Sequence, residues 1–143
     1  MDTLGWREWG ALPELGISAI KMKVDTGART SCLHAFKLEP FSNQGEEWLR
    51  IWLHPEQHSD RELVCEAKIH DQREVTDSGG HTEMRYVILT RLHAGNFDAP
   101  VELTLTNRDT MKFRMLLGRQ AMRGHFVVDP DKSYLLGQPG ATA

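Results

Sequence analysis

Cysteine is nearly absent from this chain of 143 residues: Cys32 and Cys65 are the whole complement. Two thiols cannot form the disulfide framework of a small secreted domain, so both are expected to be reduced, small and apolar in role. No apolar run approaches the roughly 20 residues that a membrane span needs. The N-terminus carries Asp2 early and lacks an apolar h-region, so no signal peptide is expected and a cytoplasmic address follows, with no membrane partner. The Gly-rich phosphate loop of the P-loop type is missing, and so is the His-Glu-x-x-His pattern of zinc peptidases. Internal repeats and low-complexity tracts are lacking as well. What remains is 40% hydrophobic and 26% charged, the composition of one folded domain over residues 1–143 with its own core and a frayed tail at 137–143.

The net charge is only −3, but it is unevenly laid out. Residues 39–83 hold eleven acids against four bases. Residues 21–37 hold Lys21, Lys23, Arg29 and Lys37 against Asp25 alone, and residues 108–123 hold Arg108, Lys112, Arg114, Arg119 and Arg123 against Asp109 alone. Such basic segments serve as solvated strand faces, or they prepare a site for an anionic substrate. The interleaved aromatics of a nucleic-acid stacking platform are not evident in them, so no direct nucleic-acid partner is expected.

Period-2 alternation dominates the chain and predicts an all-β barrel or sandwich. It is clearest in Ala19 to Val24, in 62–70, in 101–106 and in 113–117, with further apolar runs at 48–53, 86–89, 126–128 and 134–136. One short helix is expected over 119–123, stopped by Gly124. The polar segment 43–47 reads as an exposed turn. Residues 76–81 form the glycine-rich tip of a long hairpin: an ordinary turn, or a flap that closes over a bound peptide.

Two short motifs carry the chemistry. Val24-Asp25-Thr26-Gly27-Ala28 places one carboxylate on a tight loop directly after a strand. There Gly27 relieves the turn and Thr26 is able to brace it. The same residues serve equally in an Asx-type turn. Met115-Leu116-Leu117-Gly118-Arg119 is an apolar strand running into the short helix. The order of aspartate loop, glycine-tipped hairpin, apolar-Gly strand and helix resembles the retropepsins, single-domain aspartic peptidases in which the apolar-Gly segment threads the aspartate loop. Residues 16–35 and 103–119 are closer still to the bacterial RimB-type family, often labelled "ATP-dependent zinc protease" yet retropepsin-like, and the resemblance extends from Trp6 to Gly137.

That resemblance implies a closed retropepsin-like barrel with a flap, and an aspartic peptidase. It also implies an association with a RimK-type ATP-grasp ligase, which adds glutamates to the C-terminus of a small-subunit ribosomal protein. The acidic tail would be the substrate, and the "ATP-dependent" label would belong to the ligase. Asp25, Thr26 and Gly27 are the implied catalytic loop. Ala28, Arg29, Gly79, Gly80, His81, Arg85 and Arg119 are the expected substrate contacts. Residues 39–62 read as an insertion. Where retropepsins carry an acid two positions after the glycine, this chain has Arg29; with Arg119 nearby, two like charges would await a bridging substrate carboxylate. Arg85 has a simpler alternative, a cross-strand ion pair with Glu74.

Aspartic peptidases use two such carboxylates and this chain offers one, Asp25, so the resemblance implies a C2 homodimer, its interface strands expected at residues 1–8 and 133–137. Trp6, Trp9, Trp48 and Trp52 are expected as core or interface anchors. No cofactor is expected. Zinc is the alternative, with Cys32 and His34, His81 and Glu83, and Cys65 as candidate ligands, and a non-catalytic module that binds acidic tails is the third reading.

Overall fold

A computed structural model describes residues 1–56, 58–76, 79–107 and 112–139. In chain order its strands are β1 (Asp2–Leu4), β2 (Arg7–Leu12), β3 (Ile17–Val24), β4 (Ser31–His34), β5 (Lys37–Asn43), β6 (Glu46–Leu53) and β7 (Leu63–Lys68). These are followed by β8 (Asp71–Thr76), β9 (Thr82–Ala94), β10 (Phe97–Thr106), β11 (Met115–Leu117), helix α1 (Arg119–Met122) and β12 (Phe126–Val128).

Six strands close into a barrel in the order β10-β4-β11-β3-β2-β9, with β9 pairing back onto β10. Closure leaves no free edge in that ring. The alternation read from the sequence decides what lies inside: Ile20 and Met22 of β3, Leu33 of β4, Ile88 and Leu92 of β9, Leu103 and Leu105 of β10, and Met115 and Leu117 of β11 are all buried. Between them on β3, Lys21 and Lys23 stay on the outer face. Burying each such Leu, Ile or Met contributes about 1.5–3 kcal/mol, so the barrel interior is the main source of stability.

The inserted acidic segment, with the strand that follows it, forms a second sheet, β5-β6-β7, seated on the barrel through Leu49, Ile51 and Leu53. Its turn at 43–47 is exposed as expected, with Gln44 and Gly45 both at positive φ. Arg50 bridges Glu39 and Glu66 on the two flanking strands, and Lys68 pairs with Glu46. The run 62–70, expected as one strand, ends as β7 at Lys68: the Ile69 amide turns to the Glu47 carbonyl and the His70 amide to the Val87 carbonyl, carrying the chain from one sheet to the next.

The terminal segments bond within the chain, and the apolar run 134–136 is not a strand. Residues 2–4 form a parallel ribbon with β12 of the same chain, and residues 7–12 are a barrel strand. Residues 134–136 are a turn, because Tyr134 sits at positive φ and the amides of Leu135 and Leu136 go to the carboxylate of Glu8. Gly137 donates to the Tyr134 carbonyl at 3.3 Å, and residues 140–143 lie outside the described residues. Among the described residues no helix is long and apolar enough to cross a membrane.

Candidate active site

The site grows from the middle strand of three. β11 lies between β3, to which it is parallel, and β4, to which it is antiparallel; Leu117 stands opposite Val24 and Leu116 opposite Cys32. The chain leaves β3 at Val24, makes the loop 25–30 and returns as β4, so β11 runs up through the opening of that loop. The loop is sewn to it by backbone hydrogen bonds. Asp25 N–H donates to the Leu117 carbonyl at 2.9 Å, Arg119 N–H to the Ala28 carbonyl at 2.8 Å, and Gln120 N–H to the Arg29 carbonyl at 3.1 Å.

Glycine is needed at 118 for space. A Cβ there would meet the Thr30 carbonyl oxygen at 2.5 Å and the Ala28 carbonyl oxygen at 3.0 Å, both of them backbone atoms that cannot swing aside. The Gly118 amide donates to the hydroxyl of the buried Ser31 at 3.0 Å, and the Ser31 carbonyl accepts from Thr104 Oγ1 at 3.2 Å. Ser31 is a supporting residue that pattern reading passes over, since a serine beside a cysteine carries no periodic signal.

Asp25 is half-buried at the head of the loop. Its Oδ1 accepts from the Gly27 amide at 2.9 Å, and a Cβ at Gly27 would stand 3.1 Å from that oxygen. The Asx turn and the aspartate loop are thus one structure: the same bond that closes the turn aims the carboxylate. Thr26 and Gly27 add their carbonyls, which both accept from Arg119 Nη1, at 3.0 and 3.1 Å. The brace is therefore a guanidinium reaching from α1, while the Thr26 side chain is exposed. Arg29 is exposed too, with its backbone held by Gln120 and its side chain turned to solvent.

The hairpin is β8–β9, in register from Asp71 opposite Val87 to Thr76 opposite Thr82, with the two threonine hydroxyls 3.0 Å apart near its tip. Gly79, Gly80 and His81 lie at that tip, Gly80 at φ +82° with open space around it; Asp77 and Ser78 lie outside the described residues. Arg85 pairs with Glu83 at 2.6 Å. It is not opposite Glu74, whose register partner is Met84, and a one-residue offset puts the two side chains on opposite faces. Asp25, Gly27, Ala28, Arg29 and Arg119 thus converge on one loop, whereas Gly79, Gly80, His81 and Arg85 belong to the separate hairpin.

The candidate zinc ligands are dispersed: Cys32 and His34 on β4, His81 and Glu83 on the hairpin, and Cys65 on β7. Among the described residues no group of three or more His, Cys, Asp or Glu side chains is placed to hold a metal ion. Burial, reinforced by the neighbouring Glu66 carboxylate, pushes the Cys65 thiol up to about 11. At neutral pH it stays a protonated, half-buried packing group.

Residues 3–139 match the family described as RimB-like, retropepsin-like aspartic endopeptidase. Among curated proteins, a probable alpha-L-glutamate ligase of Shewanella pealeana is 49% identical over 138 residues, which cover 96% of this chain and 30% of that protein. Another of the same name in Parasynechococcus marenigrum is 49% identical over 136 residues, 94% of this chain and 29% of that protein. The chain therefore spans about three tenths of the length of the curated relatives it matches. Among solved structures, a Legionella pneumophila protein of unknown function superposes with TM-score 0.79 at 23% identity, over 94% of this chain and 98% of that one, which shows the shared fold.

Proposed function

The chain belongs to the RimB-like family of retropepsin-like aspartic endopeptidases, and from that premise we propose that it hydrolyses peptide bonds in acidic, glutamate-rich chains. The observation that carries this reading is Asp25, whose carboxylate is aimed by the Gly27 amide on a loop that β11 and Arg119 hold rigid. Rigid placement of a carboxylate near water is what general acid/base hydrolysis requires.

One carboxylate is half of the machinery. Two copies related by a two-fold axis would bring both Asp25 side chains together. Like charges that close cannot both ionise, so the pair shares one proton. The ionised member takes a proton from the attacking water, and the protonated member donates to the oxygen of the scissile carbonyl. Collapse of the tetrahedral intermediate then passes a proton to the leaving amine. Arg29 is the proposed contact for substrate carboxylates, and Gly79, Gly80 and His81 the proposed flap contacts.

The proposed substrate class is supported by the names of the relatives, probable alpha-L-glutamate ligases. A ligase that builds glutamate chains calls for an enzyme that shortens them. The glutamate tail of a small-subunit ribosomal protein is the proposed target, and a RimK-type ligase the proposed companion. The test is a glutamate-tailed ribosomal peptide incubated with wild type, with Asp25→Asn, and with wild type plus a chelator. Cleavage by wild type that persists with the chelator and vanishes in Asp25→Asn is expected. Cleavage that the chelator abolishes while Asp25→Asn remains active would establish a metal enzyme instead, and binding without cleavage a non-catalytic module.

A further inference from the structure

The outer face of β2, β3 and β11 carries a row of cations that the mechanism above does not use. On β3, Lys21 and Lys23 stand outward between the buried Ile20, Met22 and the half-buried Val24. Across the ladder, Trp9 is opposite Lys21 and Arg7 opposite Lys23; on the other side Leu116 is opposite Lys23. Two hollows lie on this face. One, of ≈ 370 Å³, is walled by Trp6, Lys23, Lys112, Phe113 and Leu116, and the other, of ≈ 280 Å³, includes Trp9, Lys21 and Arg114 in its walls.

Charge is left unspent here. Among the described residues, Arg7, Lys21, Lys23 and Lys112 form no ion pair. Over residues 50–85, by contrast, Arg50, Arg61, Lys68, Arg73 and Arg85 all have carboxylates. The aromatic residues instead support the cations: the Arg7 guanidinium lies 4.5 Å over the Trp6 ring and 5.0 Å from the Tyr134 ring, and Lys21 Nζ lies 5.3 Å over Trp9. These rings are occupied by the chain's own cations, which argues against base stacking and for a track that recognises charge. Among the described residues the one acid in the walls, Glu56, is held by Arg61.

Direction matters as much as sign. β3 and β11 are parallel and end together at Asp25 and Gly118. Cations two residues apart on a strand repeat at about 6.8 Å, which is also the same-face repeat of an extended peptide. An extended glutamate chain therefore presents carboxylates in step with Lys21 and Lys23.

We propose that Lys21, Lys23, Arg7 and Lys112 form a track that binds the carboxylates of an acidic peptide and feeds it along β3 toward Asp25. The proposal rests on the acidic-peptide reading above and adds the residues that set its specificity. The test uses the full chain carrying Asp25→Asn, so that binding is read without cleavage. Affinity is measured for a glutamate-tailed peptide, a glutamine-tailed peptide of equal length and a single-stranded oligonucleotide. Lys23→Glu and Lys112→Glu, both at exposed positions, are each expected to weaken the glutamate peptide roughly two- to fivefold, to add when combined, and to flatten its salt dependence. Lys23→Gln should show a smaller loss. The glutamine peptide should bind more weakly and be indifferent to these changes. Unchanged affinity in the double variant would overturn the track while leaving the peptidase intact, provided wild type still cleaves. Failure of any glutamate peptide to bind, with no cleavage by wild type, would overturn both. Tighter, lysine-dependent binding of the oligonucleotide would assign the face to nucleic acid and overturn the proposal.

Discussion

Gly118 decides whether the aspartate loop closes. Its absent side chain lets the loop carbonyls of Ala28 and Thr30 press against β11. Gly118→Ala forces backbone apart at that crossing, and overpacking of this kind costs about 1–3 kcal/mol. A lowered denaturation midpoint and loss of peptidase activity are expected, and an unchanged midpoint would show that the crossing is looser than described. Arg119 acts on the same loop from outside. Arg119→Ala removes the donor to the Thr26 and Gly27 carbonyls. Faster amide exchange confined to residues 25–29 is expected, with Arg119→Lys intermediate, because one ammonium reaches two carbonyls less well than a planar guanidinium. Cys65 reports the β5-β6-β7 sheet. Its pKa is raised from 9.0 to about 11 in the fold, so the native state favours the bound proton. That contribution is complete below pH 9 and fades as the pH rises through 11. Alkylation at pH 8 should therefore be slow in the native protein and fast in urea; equal rates would contradict the burial.

At the scale of elements, Glu8 is the unexpected fastener. It is fully buried on β2, and its carboxylate accepts from the amides of Gly5 at 2.7 Å, Leu135 at 3.0 Å and Leu136 at 3.1 Å. One side chain thus ties the start of the chain to the segment after β12. Each buried amide left without an acceptor costs about 1–3 kcal/mol, so Glu8→Ala should lower the unfolding free energy by at least the worth of one donor. A denaturation curve superimposed on that of wild type would refute this. Glu8 also shows why β2 is hard to read. Arg7-Glu8-Trp9-Gly10-Ala11-Leu12 puts a charged residue on the inward face and small residues beyond it, so alternation fails. In β4 all four residues of Ser31-Cys32-Leu33-His34 are buried, and there too a period of two has nothing to show. β3 was legible because Lys21 and Lys23 face outward between the buried Ile20 and Met22. β10 was legible because leucines and threonines alternate along it, although Leu103 to Thr106 are all buried. The β8–β9 hairpin was legible from its glycine-rich tip. The aspartate loop was legible because Asp-Thr-Gly needs its own turn chemistry. The brace from Arg119 and the support from Ser31 were not, since they depend on which strand passes through the loop.

At the scale of the whole molecule, the six-stranded ring, the β5-β6-β7 sheet and the β8–β9 hairpin leave charge segregated among the described residues: paired on the β5-β6-β7 sheet, exposed on the face that runs toward Asp25. The proposed centre needs two such molecules. The most direct test titrates wild type, cleaving a glutamate-tailed peptide, with increasing Asp25→Asn chain under conditions where subunits exchange. Each mixed pair holds a single carboxylate, so activity should fall toward zero as the variant comes into excess. Activity that stays constant, in proportion to the wild type present, would mean that each copy works alone and would contradict the shared aspartate pair.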